Sequence, residues 1–162
     1  MIIFVEGYDC SGKTTLCNKL SKELNMPIYK TFSERKLNRE YDMKIEKKIG
    51  LKRRIDADLY LSDFLSQFDE EISFISDRSV FSYMFYEKED KDMYNWWNNK
   101  LKSVKGVKFL MFCSPDYNKY KLFLTKRNGK TTEKEIKHYM NKNNEFLSMI
   151  NKYWKSEIKI EL

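Results

Sequence analysis

Histidine occurs once in this chain, at His138, and cysteine three times, at Cys10, Cys17 and Cys113. His138 sits in a polar, charged stretch and reads as a surface residue, which weighs against a mechanism built on a catalytic imidazole. The cysteines are odd in number, and no two have the spacing of a metal site or a redox pair, so free thiols are expected. No apolar run approaches the ~20 residues that a membrane-spanning helix needs. The first apolar run stops at Glu6, too early for a secretory signal. Linkers, internal repeats and low-complexity segments are missing as well. The 162 residues therefore read as one domain, 1–162, long enough to bury a real core and expected in the cytoplasm.

Apolar residues make up 41% and aromatics 15%, enough for a folded interior, while 34% charged residues give a polar surface. The formal net charge of +7 favours polyanions, either small nucleotides or nucleic acid. The chain shows neither an aromatic-interleaved RNA-binding signature nor zinc-finger spacing. A small nucleotide is the better expectation.

The most informative stretch is residues 1–16, MIIFVEGYDCSGKTTL. An apolar run with branched and aromatic residues is followed by Gly7-Tyr8-Asp9-Cys10-Ser11-Gly12-Lys13-Thr14, which fits G-x-x-x-x-G-K-[ST]. Leu16, Leu20 and Leu24 then recur at helical spacing. A strand, a glycine-bounded loop and a helix form the context in which this pattern binds phosphate. Gly7 and Gly12 permit backbone angles and approaches that a side chain would block. Successive N–H groups can then point inward as an anion nest, helped by the positive end of the following helix. Lys13 supplies a mobile positive charge for β- and γ-phosphates, and the Thr14 hydroxyl can ligate Mg²⁺. The competing reading is a coincidental glycine turn.

Downstream, residues 26–32 (MPIYKTF) read as a second strand, with Ser33-Glu34-Arg35 at its C-terminal end. Ligands bind outside those ends in open parallel sheets, so Arg35 is a candidate phosphate or substrate contact, or else a solvated loop charge. Residues 36–67 read as two helices broken near Gly50, with a basic cluster at 47–54. Residues 72–76 (ISFIS) read as a strand ending in Asp77-Arg78-Ser79. Asp77 stands where a magnesium-coordinating carboxylate belongs, and Arg78 beside it can hold phosphate. The alternative is a helix-capping aspartate with a surface arginine. Helices are expected over 80–86 and 92–104, with Tyr94, Trp96 and Trp97 as core or interface. A buried strand is expected at 107–113, a helix opened by Ser114-Pro115-Asp116 that runs to about 126, a long helix over 133–153 and a last strand at 157–162. Residues 126–130 (KRNGK) read as a short mobile cover whose cations could close over phosphates. Alternating strands and helices imply an α/β protein with a parallel sheet and helices on both faces.

The segments FVEGYDCSGKTT (4–15) and SDRSVFS (76–82) resemble the thymidylate kinase family, and more broadly its deoxynucleoside kinase relatives. Asp9 within the loop is the most specific point of likeness. Ser79 replaces the tyrosine usual after the aspartate–arginine pair, and residues 126–130 fall where the family has its lid. The resemblance implies a three-layer phosphate-loop kinase fold with five parallel strands and a short lid at about 126–133. It implies transfer of the γ-phosphoryl of ATP, with Mg²⁺, to a deoxynucleoside monophosphate. ATP would be held by Gly7, Asp9, Cys10, Ser11, Gly12, Lys13, Thr14 and Thr15, and the metal by Thr14 and Asp77. Asp9 would meet the substrate sugar or the metal shell, Arg78 the acceptor phosphate, Tyr86 the sugar and Tyr60 the base, with Ser82 and Arg35 among the substrate contacts. Cys10 replaces the loop arginine of some members, which makes Arg127, with Lys126 and Lys130, the candidate lid cation. Lys13, Arg78, Arg127 and Asp9 would carry the reaction.

Two departures bear on specificity. Phe64 aligns where many members have a base-reading arginine, and no Glu-Pro-Gly segment follows the second strand. A shifted or broadened base preference follows. A deoxynucleoside kinase with Glu34 as base, a non-catalytic nucleotide-binding module and a polynucleotide 5′-kinase are the competing functions. The aromatic faces at 59–68 and 94–97 would permit a homodimer.

Overall fold

The computed structural model describes residues 1–30, 73–86, 91–154 and 159–161. Along the chain it forms β1 (Ile2–Glu6), α1 (Lys13–Leu24), β2 (Ile28–Lys30), β3 (Phe74–Asp77), α2 (Val80–Tyr86), α3 (Lys91–Ser103), β4 (Lys108–Phe112), α4 (Tyr117–Asn128), α5 (Glu133–Tyr153) and β5 (Lys159–Glu161). The strands make one sheet in the order β2-β3-β1-β4-β5, and every pairing is parallel. The two helices expected over 36–67 lie outside the described residues.

Strand β1 is the centre of the sheet, and every one of its residues is buried. A central parallel strand is covered on both faces, so it reads as a continuous apolar run rather than an alternating one. The alternation is in the partners. Ile2 and Phe4 join Leu110, Phe112, Phe81, Trp97, Phe146 and Ile150 on the side covered by α2, α3 and α5. Ile3 and Val5 join Ile75, Cys17 and Met26 on the side covered by α1. Burying each such side chain contributes about 1.5–3 kcal/mol. Tyr94 and Trp97 of α3 lie in the core as expected, whereas Trp96 is exposed.

The chain visits β3 on one flank of β1 and then crosses to β4 on the other. The loop after β1 therefore opens at the point where the order reverses, the crevice in which open α/β sheets bind ligands.

One element departs from its sequence-based expectation. Residues 126–128 continue α4, with Lys126 and Arg127 in its last turn. Gly129, at φ 77°, ends the helix, and Thr132 opens α5 with a capping box to Glu135. The stretch 126–130 thus spans the last turn of α4 and the start of the turn into α5. The helix continues because lysine, arginine and asparagine there favour or tolerate helix, and the first residue that needs left-handed backbone is the glycine.

Candidate nucleotide site

The loop between β1 and α1 has the backbone its glycines require. Gly7 sits at φ 144°, and a Cβ there would come within 2.5 Å of Ser11 Oγ and 2.9 Å of the Cys113 carbonyl oxygen. Gly12, at φ 91°, caps α1 without a side chain, and no acidic residue occupies the first turn. The positive end of α1 is therefore presented to a ligand rather than neutralised by the protein. Cys10 also lies in the left-handed region, at φ 59°.

Lys13 is buried and folds back over the loop, donating to the Tyr8 carbonyl at 2.7 Å and to Ser11 Oγ at 3.4 Å. Burial, reinforced by the nearby Arg78 charge, pushes its ammonium down to about 8. Across the crevice, the Thr14 hydroxyl donates to Asp77 Oδ2 at 3.4 Å. A hydroxyl and a carboxylate are hard oxygen donors of the kind Mg²⁺ prefers, with phosphate oxygens and water completing such a shell.

Arg78 has φ 85°, and its N–H donates to the Val5 carbonyl at 3.0 Å. The Ser76 hydroxyl donates to the Arg78 carbonyl at 2.7 Å. The guanidinium donates to Asp9 Oδ1 at 3.0 Å and lies 5.4 Å from the centre of the Tyr86 ring. The Tyr86 hydroxyl donates to the same Asp9 oxygen at 3.0 Å. Burial alone would raise the Asp9 carboxyl, but the Arg78 hydrogen bond and charge, helped by Tyr86 and Lys13, hold it below its ordinary range. Asp9 is thus committed as an anion.

Arg127 reaches the loop from α4, donating to Cys10 Sγ at 3.1 Å. A cavity of about 420 Å³ is lined by Asp9, Cys10, Ser11, Gly12, Lys13, Thr14, Thr15, Asp77, Arg78 and Arg127. These ten residues, expected at the site on sequence grounds, come together around one space.

Others fall elsewhere. Ser82 is fully buried and donates to Glu6 Oε2 at 2.6 Å, so it meets the site only from behind Arg78. Arg35, Tyr60 and Phe64, with Glu34, lie outside the described residues. His138 is exposed, as expected. Cys17 and Cys113 are buried free thiols, pushed by burial up to about 12 and about 11.

Two structural partners of the loop escaped the sequence reading. Asn143 of α5 is buried, accepts from the Tyr8 N–H at 2.6 Å and donates to the Cys113 carbonyl at 3.0 Å. Its signal was there: Ile136, Met140, Asn143, Leu147 and Ile150 follow one helical stripe, and Asn143 is the polar member. Glu6 is the other. It is the one charged residue in β1, and its side chain is entirely buried.

A strand, a glycine-bounded loop and a helix at the switch point of a parallel sheet define a phosphate-loop α/β protein. No protein-family model and no curated protein matches the sequence. Solved structures do match. The YorR protein of Bacillus subtilis, in complex with phosphorylated GDP, aligns with a TM-score of 0.64 and 25% identity over 100% of this chain and 85% of that one. A deoxyadenosine kinase from M. mycoides with bound dATP aligns with a TM-score of 0.55 and 15% identity, over 100% and 90%. A gluconokinase from Sinorhizobium meliloti 1021 aligns with a TM-score of 0.54 and 11% identity, over 99% and 80%. Two of these three neighbours are named kinases, and the chain shares the fold of all three. No helix among the described residues is long and apolar enough to cross a membrane.

Proposed function

We propose that this chain is a phosphotransferase that moves the γ-phosphoryl of ATP to a nucleoside monophosphate, in the manner of the thymidylate kinases it resembles. The observation that carries the reading is the pair of cations that line one cavity, Lys13 on the loop and Arg78 just after β3. Lys13 and the N-terminus of α1 serve the donor phosphates, and Arg78 serves the acceptor phosphate. Arg127, at the end of α4, adds a guanidinium on the donor side, where it can pair with phosphoryl oxygens in a planar fork. YorR's phosphorylated GDP supports a nucleotide as the ligand of this fold.

Phosphoryl transfer needs positioning and charge neutralisation more than covalent chemistry. A phosphate acceptor is already an anionic nucleophile, so no strong base is required. Among the described acids at or behind the cavity, Asp9 is a weakened base, held below its ordinary range by Arg78, Asp77 is the residue that would hold the metal, and Glu6 is sealed from solvent. A nucleoside acceptor would require such a base. Thr14 and Asp77 are the residues that would hold Mg²⁺, which supplies neutralisation of the phosphate charge when bound. The base preference belongs to Tyr60 and Phe64.

The test is a panel of nucleosides, nucleoside monophosphates and 5′-hydroxyl oligonucleotides offered with ATP and Mg²⁺. Turnover of monophosphates but not nucleosides is expected, and the reverse pattern would assign the chain to the deoxynucleoside kinases. Lys13→Ala should reduce transfer by at least about 100-fold while leaving the circular dichroism spectrum unchanged. Unaltered activity would show that the loop does not bind the donor.

A further inference from the structure

We propose that Glu6 is a positioning residue for the acceptor side of this site, acting on Arg78 through Ser79 and Ser82. The inference rests on the phosphotransferase reading above. Glu6 is the last residue of β1, immediately before the loop, and its side chain is 0% exposed. Its Oε1 accepts from the Ser79 N–H at 2.7 Å, the Ser79 hydroxyl at 2.6 Å and the Ser82 N–H at 3.3 Å. Its Oε2 accepts from the Ser82 hydroxyl at 2.6 Å. Ser82 Oγ in turn accepts from Arg78 Nη1 at 3.4 Å. A chain of hydrogen bonds therefore runs from the Arg78 guanidinium through Ser82 to Glu6, inside the protein and away from the cavity.

A structural role alone does not account for this residue. The start of α2 needs acceptors for its unpaired N–H groups. Ser79 already supplies one, since its hydroxyl accepts from the Phe81 N–H at 3.3 Å. A carboxylate without solvent is an expensive way to supply another, because a buried charge is costly unless it is paired and fully bonded. Burial does raise the Glu6 carboxyl, opposed first by Ser79 and Ser82 and then by the Arg78 and Lys13 charges. The feature that uses the charge is the cationic site in front of it. Arg78 is gripped through its backbone by Val5 and Ser76, is held in front by Asp9 and is held behind by the Ser82–Glu6 pair. An acceptor phosphate would compete with Asp9 for the guanidinium. The grip from behind is the one that survives substrate binding, and it keeps Arg78 aimed at the acceptor.

Glu6→Gln keeps the size and removes the charge and one acceptor. Ser82→Ala removes the hydroxyl that joins Arg78 to Glu6 Oε2 while leaving the Ser79 bonds to Oε1 in place, and serves if the first variant folds poorly. Both are assayed for steady-state constants with ATP and the best monophosphate, and by ¹⁵N NMR of the Arg78 guanidinium in the ligand-free protein. The acceptor KM should rise about 10-fold in each variant, with the ATP KM changed less than about twofold. Rotation about the Arg78 Cζ–Nη bonds, slow in the parent protein, should become fast in both. Parallel increases in both KM values, or unchanged guanidinium dynamics in the two variants, would overturn the proposal. If the parent protein transfers phosphoryl to no acceptor, the functional reading fails, while the NMR comparison still decides the role of Glu6.

Discussion

Lys13 lies folded onto the loop it serves, and that posture has a titratable consequence. Its ammonium is held at about 8 by burial and then by Arg78, against an ordinary 10.5. In the free protein, between those two values, the folded state binds fewer protons than the unfolded one. The buried ammonium therefore costs stability below pH 8, and the cost fades as the pH rises towards 10.5. Nucleotide phosphates favour the charged form, so binding must draw a proton in wherever free Lys13 is largely neutral. Calorimetry in two buffers of different ionisation enthalpy should show proton uptake at about pH 8.5 and little at about pH 6.5. Equal values at both would place Lys13 outside the binding event. The residues of this machinery that sequence reveals are those whose spacing is dictated by phosphate: Gly7, Gly12, Lys13 and Thr14. Glu6 was read there only as the end of an apolar run, because nothing in the spacing of the chain links it to Ser79 and Ser82, more than seventy residues on.

Among the elements, α5 does more than cover the sheet. Through Asn143 it holds the first peptide of the loop to the end of β4, since the same amide serves the Tyr8 N–H and the Cys113 carbonyl. Asn143→Leu keeps the volume and leaves both backbone groups without their partner, which should cost about 2–4 kcal/mol in a denaturant melt and weaken nucleotide binding as the loop loosens. Asn144→Ala, at the exposed neighbouring position, should stay within about 0.5 kcal/mol. A similar loss from both would mean that the helix, not the amide, matters. Helix α5 was legible over its whole observed span, Glu133–Tyr153, because a capping threonine opens it and an apolar stripe runs along it. The end of α4 was not. Lys126, Arg127 and Asn128 carry the composition of a loop, yet composition is a weak guide where only Gly129 demands non-helical backbone.

At the scale of the molecule, the class of architecture follows from alternation. An apolar strand, a helix and another strand can bury their faces only as a parallel sheet with helices on either side. The strand order needed three-dimensional pairing, since no local signal says that β1 lies between β3 and β4. Of the residues expected to meet an acceptor, Arg78, Asp9 and Tyr86 lie together in the described structure. Arg35, Tyr60 and Phe64 fall outside the described residues.

The fold also sorts its three thiols into two kinds. Cys17 and Cys113 are sealed in the sheet packing, with their thiols pushed far above neutrality, whereas Cys10 is partly exposed on the loop, against Arg127. Thiolate, not thiol, is what reacts, so the native protein should consume one equivalent of a thiol-reactive dye and the unfolded chain three. Because the reactive sulfur lines the cavity, bound nucleotide should slow that labelling, and a dye once attached should block the site. Unprotected labelling in the presence of saturating ATP would place the nucleotide elsewhere. The loop thus carries its own built-in optical handle, available without introducing a foreign residue.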